Sequence, residues 1–172
     1  MKLIRILCCS GFLCMAELAH ATCLANLPLQ APGNRYQIQG ETVVDQYTGL
    51  MWQRCAFGQV WTPEKKRCQL DLALQRLFTW SEAITLAQAT AFAGYADWRL
   101  PNKNELSSLI DRACTGPAVN ETAFPDTPLG GFWTSTPARH TSSFAWHIDF
   151  TVGTLVVFDM DKRFAVRLVR QP

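Results

Sequence analysis

Ala145-Trp146-His147-Ile148-Asp149-Phe150-Thr151-Val152 decides the fold class of this chain. The stretch alternates with period two. Trp146, Ile148, Phe150 and Val152 fall on one side, and Ala145, His147, Asp149 and Thr151 on the other. Successive side chains of a strand point to opposite faces, so this is the pattern of a strand with one side on a core and the other in water. The side with Trp146 is expected to face the core. The side with His147 is expected to face solvent.

The neighbouring residues extend this strand into a meander. Gly153 supplies a turn, and residues 155–158 and 164–169 are expected to pair next, joined by the polar connection 159–163. Before it, Phe132-Trp133-Thr134-Ser135-Thr136 is a β-rich run ended by Pro137. Further upstream the period changes to that of helices. Thr79-Trp80-Ser81-Glu82 fits a capping box, with Thr79 as N-cap and Glu82 reaching back. Ala83, Leu86, Ala87 and Thr90 follow at helical spacing, and Gly94 stops the run. Asn102-Lys103-Asn104-Glu105 repeats the cap ahead of Leu106, Leu109 and Ile110, with Pro101 holding the preceding segment extended. Nearer the N-terminus, residues 36–44 read as a strand pair turning at Gly40-Glu41. A second turn at Thr48-Gly49 leads into Leu50-Met51-Trp52. Strands, two helices and then an antiparallel meander make an α+β domain.

The first residues speak to location. Lys2 and Arg5 precede an uncharged, mostly apolar run over 6–15, and Ala19-His20-Ala21 places small residues at −3 and −1 of a cleavage site. Residues 1–21 therefore read as a signal peptide and 22–172 as a single domain. The run is about ten residues, short of the roughly 20 that span a bilayer. Export puts the protein in the periplasm, at the cell surface or in the medium. Without Lys2, Arg5 and Glu17 the 16 basic and 14 acidic residues become 14 and 13, which gives no argument for nucleic acid. Cys8, Cys9 and Cys14 leave with the leader, and Cys23, Cys55, Cys68 and Cys114 remain. Four cysteines allow three pairings. Cys55 and Cys68 bracket a short loop, so a local bridge there, and with it Cys23–Cys114, is the expected pairing. No C-x₂-C pair exists to suggest zinc, and neither a metal nor a cofactor is expected.

Several blocks together resemble the Lcl C-terminal domain family, named for a secreted collagen-like adhesin. They are Thr48-Gly49-Leu50-Met51-Trp52, Phe78-Thr79-Trp80-Ser81-Glu82-Ala83, residues 94–106 around Asp97-Trp98-Arg99-Leu100-Pro101-Asn102, Pro117-Ala118-Val119-Asn120, Phe132-Trp133-Thr134-Ser135-Thr136-Pro137, Ala145-Trp146 and Val166-Arg167-Leu168-Val169-Arg170. The resemblance implies a C-type-lectin-like fold of the formylglycine-generating-enzyme branch. It also implies a secreted or surface role, often as a module of an adhesin; one member binds sulfated polysaccharides.

The residues themselves bear on chemistry. The carboxylate-rich tripeptides of calcium-dependent lectins are absent, because the corresponding region reads Ala145-Trp146-His147-Ile148-Asp149. No cysteine follows Cys114, so the reactive pair of the formylglycine branch cannot form in the C-terminal half. The expectation is a non-catalytic module that binds a glycan, especially a sulfated or anionic one, or a protein surface. The alternatives are a structural or assembly subunit of a surface appendage and a cryptic enzyme. The expected ligand-binding residues are Arg139, His140, His147, Asp149, Lys162 and Arg163 on the C-terminal face. Trp61, in the Cys55–Cys68 loop, is the expected stacking platform. Trp80, Trp98, Trp133 and Trp146 are expected in the core. Arg99 and Arg167, if buried, each need an acid such as Asp97 or Glu105. No stalk or repeat is present, so multivalent binding would come from a homo-oligomer or a partner.

Overall fold

The Gly40-Glu41 and Thr48-Gly49 turns fold the first part of the chain into a sheet, as their positive-φ glycines permit. A computed structural model describes residues 21–74, 76–139 and 142–172, so the leader expected over 1–21 lies almost wholly outside the described residues. The strands are β1 (Thr22–Cys23), β2 (Tyr36–Gln39), β3 (Thr42–Asp45), β4 (Leu50–Gln53), β5 (Gln59–Thr62) and β6 (Arg67–Leu70). Two helices follow, α1 (Trp80–Ala89) and α2 (Lys103–Ser107). The rest are β7 (Cys114–Thr115), β8 (Gly131–Pro137), β9 (Phe144–Asp149), β10 (Thr154–Asp159) and β11 (Val169–Arg170). Among the described residues no helix is long and apolar enough to cross a membrane.

Both helices start on the capping boxes that their sequences signal. Thr79 Oγ1 accepts the Glu82 N–H while Glu82 accepts the Thr79 N–H at 3.0 Å. Asn102 and Glu105 exchange the same bonds at the start of α2. Helix α1 ends at Ala89, short of Gly94, because Thr90 is already extended.

Among the described residues the strands form four antiparallel sheets. One has the order β11-β4-β3-β2, another β10-β9-β8, and β5-β6 and β1-β7 are two-stranded. Disulfides join Cys23 to Cys114 and Cys55 to Cys68, the pairing expected from the sequence. The first ties β1 to β7. The second staples the β5–β6 hairpin to the end of β4; that hairpin was not foreseen and read only as a loop.

The C-terminal segment departs from expectation. Residues 164–169 do not pair with β10. Phe164 exchanges backbone bonds with Phe78, the Ala165 N–H donates to the Gly131 carbonyl, and Val169 and Arg170 pair with Trp52 and Met51 of β4. Residues 165–170 are buried without a break, which suits a seam between sheets, whereas β10 carries half-exposed Leu155 and Val156 and suits an edge. The C-terminal strand is thereby laid on β4 of the first sheet, and the seam divides the core. One cluster holds Trp52, Leu106, Phe124, Phe132, Ile148 and Phe150. The other holds Trp98, Trp133, Ala145, Val166 and Leu168.

The arginines of the apolar blocks resolve differently. Arg99 meets Glu105 in a bidentate pair at 2.8 Å, as expected, and Asp97 goes to Arg170 instead. Arg167 has no acid. It is fully buried between the faces of Phe124 and Phe132, 4.6 and 5.7 Å from their ring centroids, and donates to Thr127 Oγ1 at 2.9 Å. Burial pulls its pKa down to about 9. Ring faces carry the negative end of a quadrupole and offset part of the cost of an unpaired guanidinium.

Candidate functional site

Strand β9 has both sides covered near its middle, and this corrects the expected division into a core side and a solvent side. His147 is only 4% exposed. Its ring stacks on Phe164 with 4.4 Å between centroids and meets Trp133 and Phe158 edge-on. The C-terminal seam that carries Phe164 crosses this side of the sheet, so the imidazole is enclosed rather than solvated. Gly131 makes room for it: a Cβ there would sit 2.7 Å from both His147 Cδ2 and Phe164 Cδ1. Burial pushes the His147 pKa below its ordinary 6.5, with the Asp149 charge opposing the shift. His147 therefore cannot meet a ligand at the surface, and removing its ring would open a cavity.

The opposite side of β9 opens where the sequence expected it to close. Ile148 and Phe150 are fully buried, but Trp146 is only half-buried. Between Trp133 and Pro137 strand β8 spends four residues where β9 spends two, a bulge that swings the chain outward. Thr134 Oγ1 donates to the Trp146 carbonyl at 2.7 Å, and Thr136 Oγ1 accepts the N–H of Lys103 at 3.0 Å. These two hydroxyls fix strand, bulge and the start of α2 against one another. The Lys103 ammonium then lies 4.7 Å from the Trp146 ring centroid. The hollow above them, about 500 Å³, is lined by Lys103, Thr136, Pro137, Arg139, Trp146 and Val157, among others.

Residues 41–170 match the family model of the Lcl C-terminal domain. The chain belongs to that family. A comparison with curated proteins finds no match.

In this Lcl C-terminal domain the residues expected to bind ligand do not form one cluster. Arg139 is exposed on the Trp146 hollow, and Lys162 is exposed on the turn after β10, near the same end of the sheet. Arg163 turns to the start of α1, where it meets Glu82 in a bidentate pair at 2.9 Å. Asp149 sits at the far end of β9 and accepts the Thr151 N–H at 2.8 Å, closing the hairpin. His140 lies outside the described residues. Trp61 belongs to β5 and is half-buried, with the Arg54 guanidinium 3.7 Å from its ring centroid, so one face of that platform is taken. Among the described residues no group of three metal-ligating side chains comes together. Lys103 and Trp146 were missed as site residues. Only Lys103's place directly after the Asn102 cap hinted at it, since that residue starts the helix and points away from its apolar face.

Proposed function

We propose that this domain is an exported, non-catalytic recognition module that binds an anionic glycan on the shelf of Trp146, Lys103 and Arg139. The observation that carries the reading is the half-buried indole with an ammonium 4.7 Å from its centroid and a guanidinium on the same hollow. An indole offers a flat apolar surface to the C–H face of a pyranose. Two cations beside it suit a sulfate or carboxylate, which would draw Lys103 off the ring. The shelf is built on a strand, a bulge and a helix start, so it is held in place before ligand arrives. Two disulfides suit an oxidising space beyond the cytoplasm, in line with the leader expected over 1–21. The two helices, the small antiparallel sheets and the split core are the features that support a C-type-lectin-like fold. The reading is non-catalytic because His147, the histidine among the described residues, is packed between rings where no substrate reaches it.

The test is calorimetric titration of a dextran sulfate oligosaccharide into the disulfide-bonded protein, with and without chelator. Trp146→Ala and the Lys103→Ala/Arg139→Ala pair should each weaken binding by about tenfold or more, and added salt should weaken the parent more than the double variant. Chelator should change nothing. Parent-like affinity in both variants, or loss of binding with chelator, would sink the assignment.

A further inference from the structure

A second cleft, about 1110 Å³ and thus more than twice the Trp146 hollow, runs along β6 on another part of the molecule. Its apolar floor includes Leu70 and Leu77, which are 51% and 52% exposed. Among the described residues its rim carries Lys65, Arg67 and Arg76 against one acid, Asp126. That acid is already satisfied. It forms an ion pair with Arg67 and accepts the Cys68 N–H at 2.9 Å. Lys65 and Arg76 have no ion pair among the described residues, so the cleft keeps a positive excess.

The cleft also has a backbone wall. The β5–β6 hairpin is a two-stranded sheet, so among the described residues no strand lies beside the outer edge of β6. The Gln59 N–H donates back to Ala56 and the Asp71 N–H to Gly58, so Gln59 and Leu70 face each other without bonding. Bonded and non-bonded pairs alternate in an antiparallel ladder, so Trp61 and Cys68 form another non-bonded pair. Cys68 and Leu70 therefore turn their amide and carbonyl groups outward. Asp126 takes the Cys68 N–H. The Leu70 N–H and the Cys68 and Leu70 carbonyls have no partner among the described residues. At Cys68, only 4% exposed, the edge is covered, but at Leu70, 51% exposed, it is open, and an open edge is a template for a further strand. The Cys55–Cys68 disulfide holds it rigid.

We propose that this edge docks an extended acidic peptide segment of a partner protein, which adds as a strand beside β6. Its main chain would bond Leu70, its apolar side chains would cover Leu70 and Leu77, and its carboxylates would reach Lys65 and Arg76. Strand addition takes affinity from main-chain bonds and selectivity from alternate side chains, and an edge with apolar and cationic flanks supplies both. The site is independent of the Trp146 shelf.

Fluorescence anisotropy with a labelled, capped Glu-Val-Glu-Val-Glu-Val peptide tests this on the disulfide-bonded protein. A Lys-Val counterpart and an acidic peptide N-methylated on alternate amides serve as comparisons. The acidic peptide should bind saturably, the basic one should not, and N-methylation should abolish binding. Lys65→Glu/Arg76→Glu should weaken the acidic peptide by about tenfold or more, because both charges lie on the surface and reverse the local field. The same variant should keep parent affinity for dextran sulfate, which separates this site from the shelf. Absence of saturable binding overturns the proposal, as does equal binding of acidic and basic peptides, parent-like affinity of the N-methylated peptide, or parent-like affinity of the charge-reversed protein. Displacement of the peptide by dextran sulfate would make the cleft a glycan site and overturn it too.

Discussion

His147 and Trp146 are neighbours on β9 and sit in opposite surroundings. The polar histidine is enclosed by Trp133, Phe158 and Phe164, while the apolar tryptophan is half-open beside two cations. Alternation tells which side chains share a side of a strand. It does not tell what covers that side. A chain segment more than ten residues downstream covers His147, and a bulge in the neighbouring strand uncovers Trp146. Polarity therefore gives the wrong answer at both positions, even though the strand itself is where the pattern put it.

The contrast is broken most severely at the enclosed side. Trp133 packs there with no exposure and its Nε1 donates to the Phe78 carbonyl at 2.7 Å. Trp133→Ala should cost about 3–5 kcal/mol in denaturant unfolding, the range for a buried aromatic cut to alanine. Trp146→Ala should cost less than half of that and act mainly on binding. Equal stability losses would mean that the two sides are not different environments.

Gly131→Ala is the next largest effect. The added methyl meets His147 and Phe164 at 2.7 Å, closer than carbon atoms approach, so overpacking should cost about 1–3 kcal/mol. A variant as stable as the parent would show that the His147 ring is free to move aside.

Acid titration sharpens the comparison further. The folded pKa of His147 lies below its ordinary 6.5, so between the two values the unfolded chain binds more protons and stability rises with pH. The contribution of His147 is whole above about pH 6.5 and is lost as pH falls through the folded value. Melting curves of the parent and His147→Phe, from about pH 7.5 to about pH 5, should diverge on the acid side, with the parent losing more. Parallel curves would place the imidazole in water.

The smallest effect belongs to the surface. Arg163 and Glu82 form a bidentate pair, but both side chains are about half open to water. Arg163→Ala should cost no more than about 1 kcal/mol, as exposed ion pairs are screened and entropically expensive. It should also leave dextran sulfate binding unchanged, since this arginine faces α1 and not the shelf.

Much of this molecule was legible before any fold was drawn. The capping boxes at Thr79 and Asn102, the turns at Gly40 and Gly49, and the strands around Trp133 and Trp146 all stood in the sequence. The caps and turns rest on bonds or φ angles set within about four residues, and the strands show in the two-residue alternation of their side chains. The Cys55–Cys68 bridge was legible because the two cysteines bracket a short loop, 13 residues apart, and its partner pair followed by elimination. Tertiary structure alone decided the rest. It sent residues 164–170 into a seam between two sheets, left Arg167 between Phe124 and Phe132 without an acid, and enclosed His147 while opening Trp146 beside Lys103. Those outcomes depend on which distant segment lies against a given side chain, and burial energy is a property of that meeting rather than of any window of the chain.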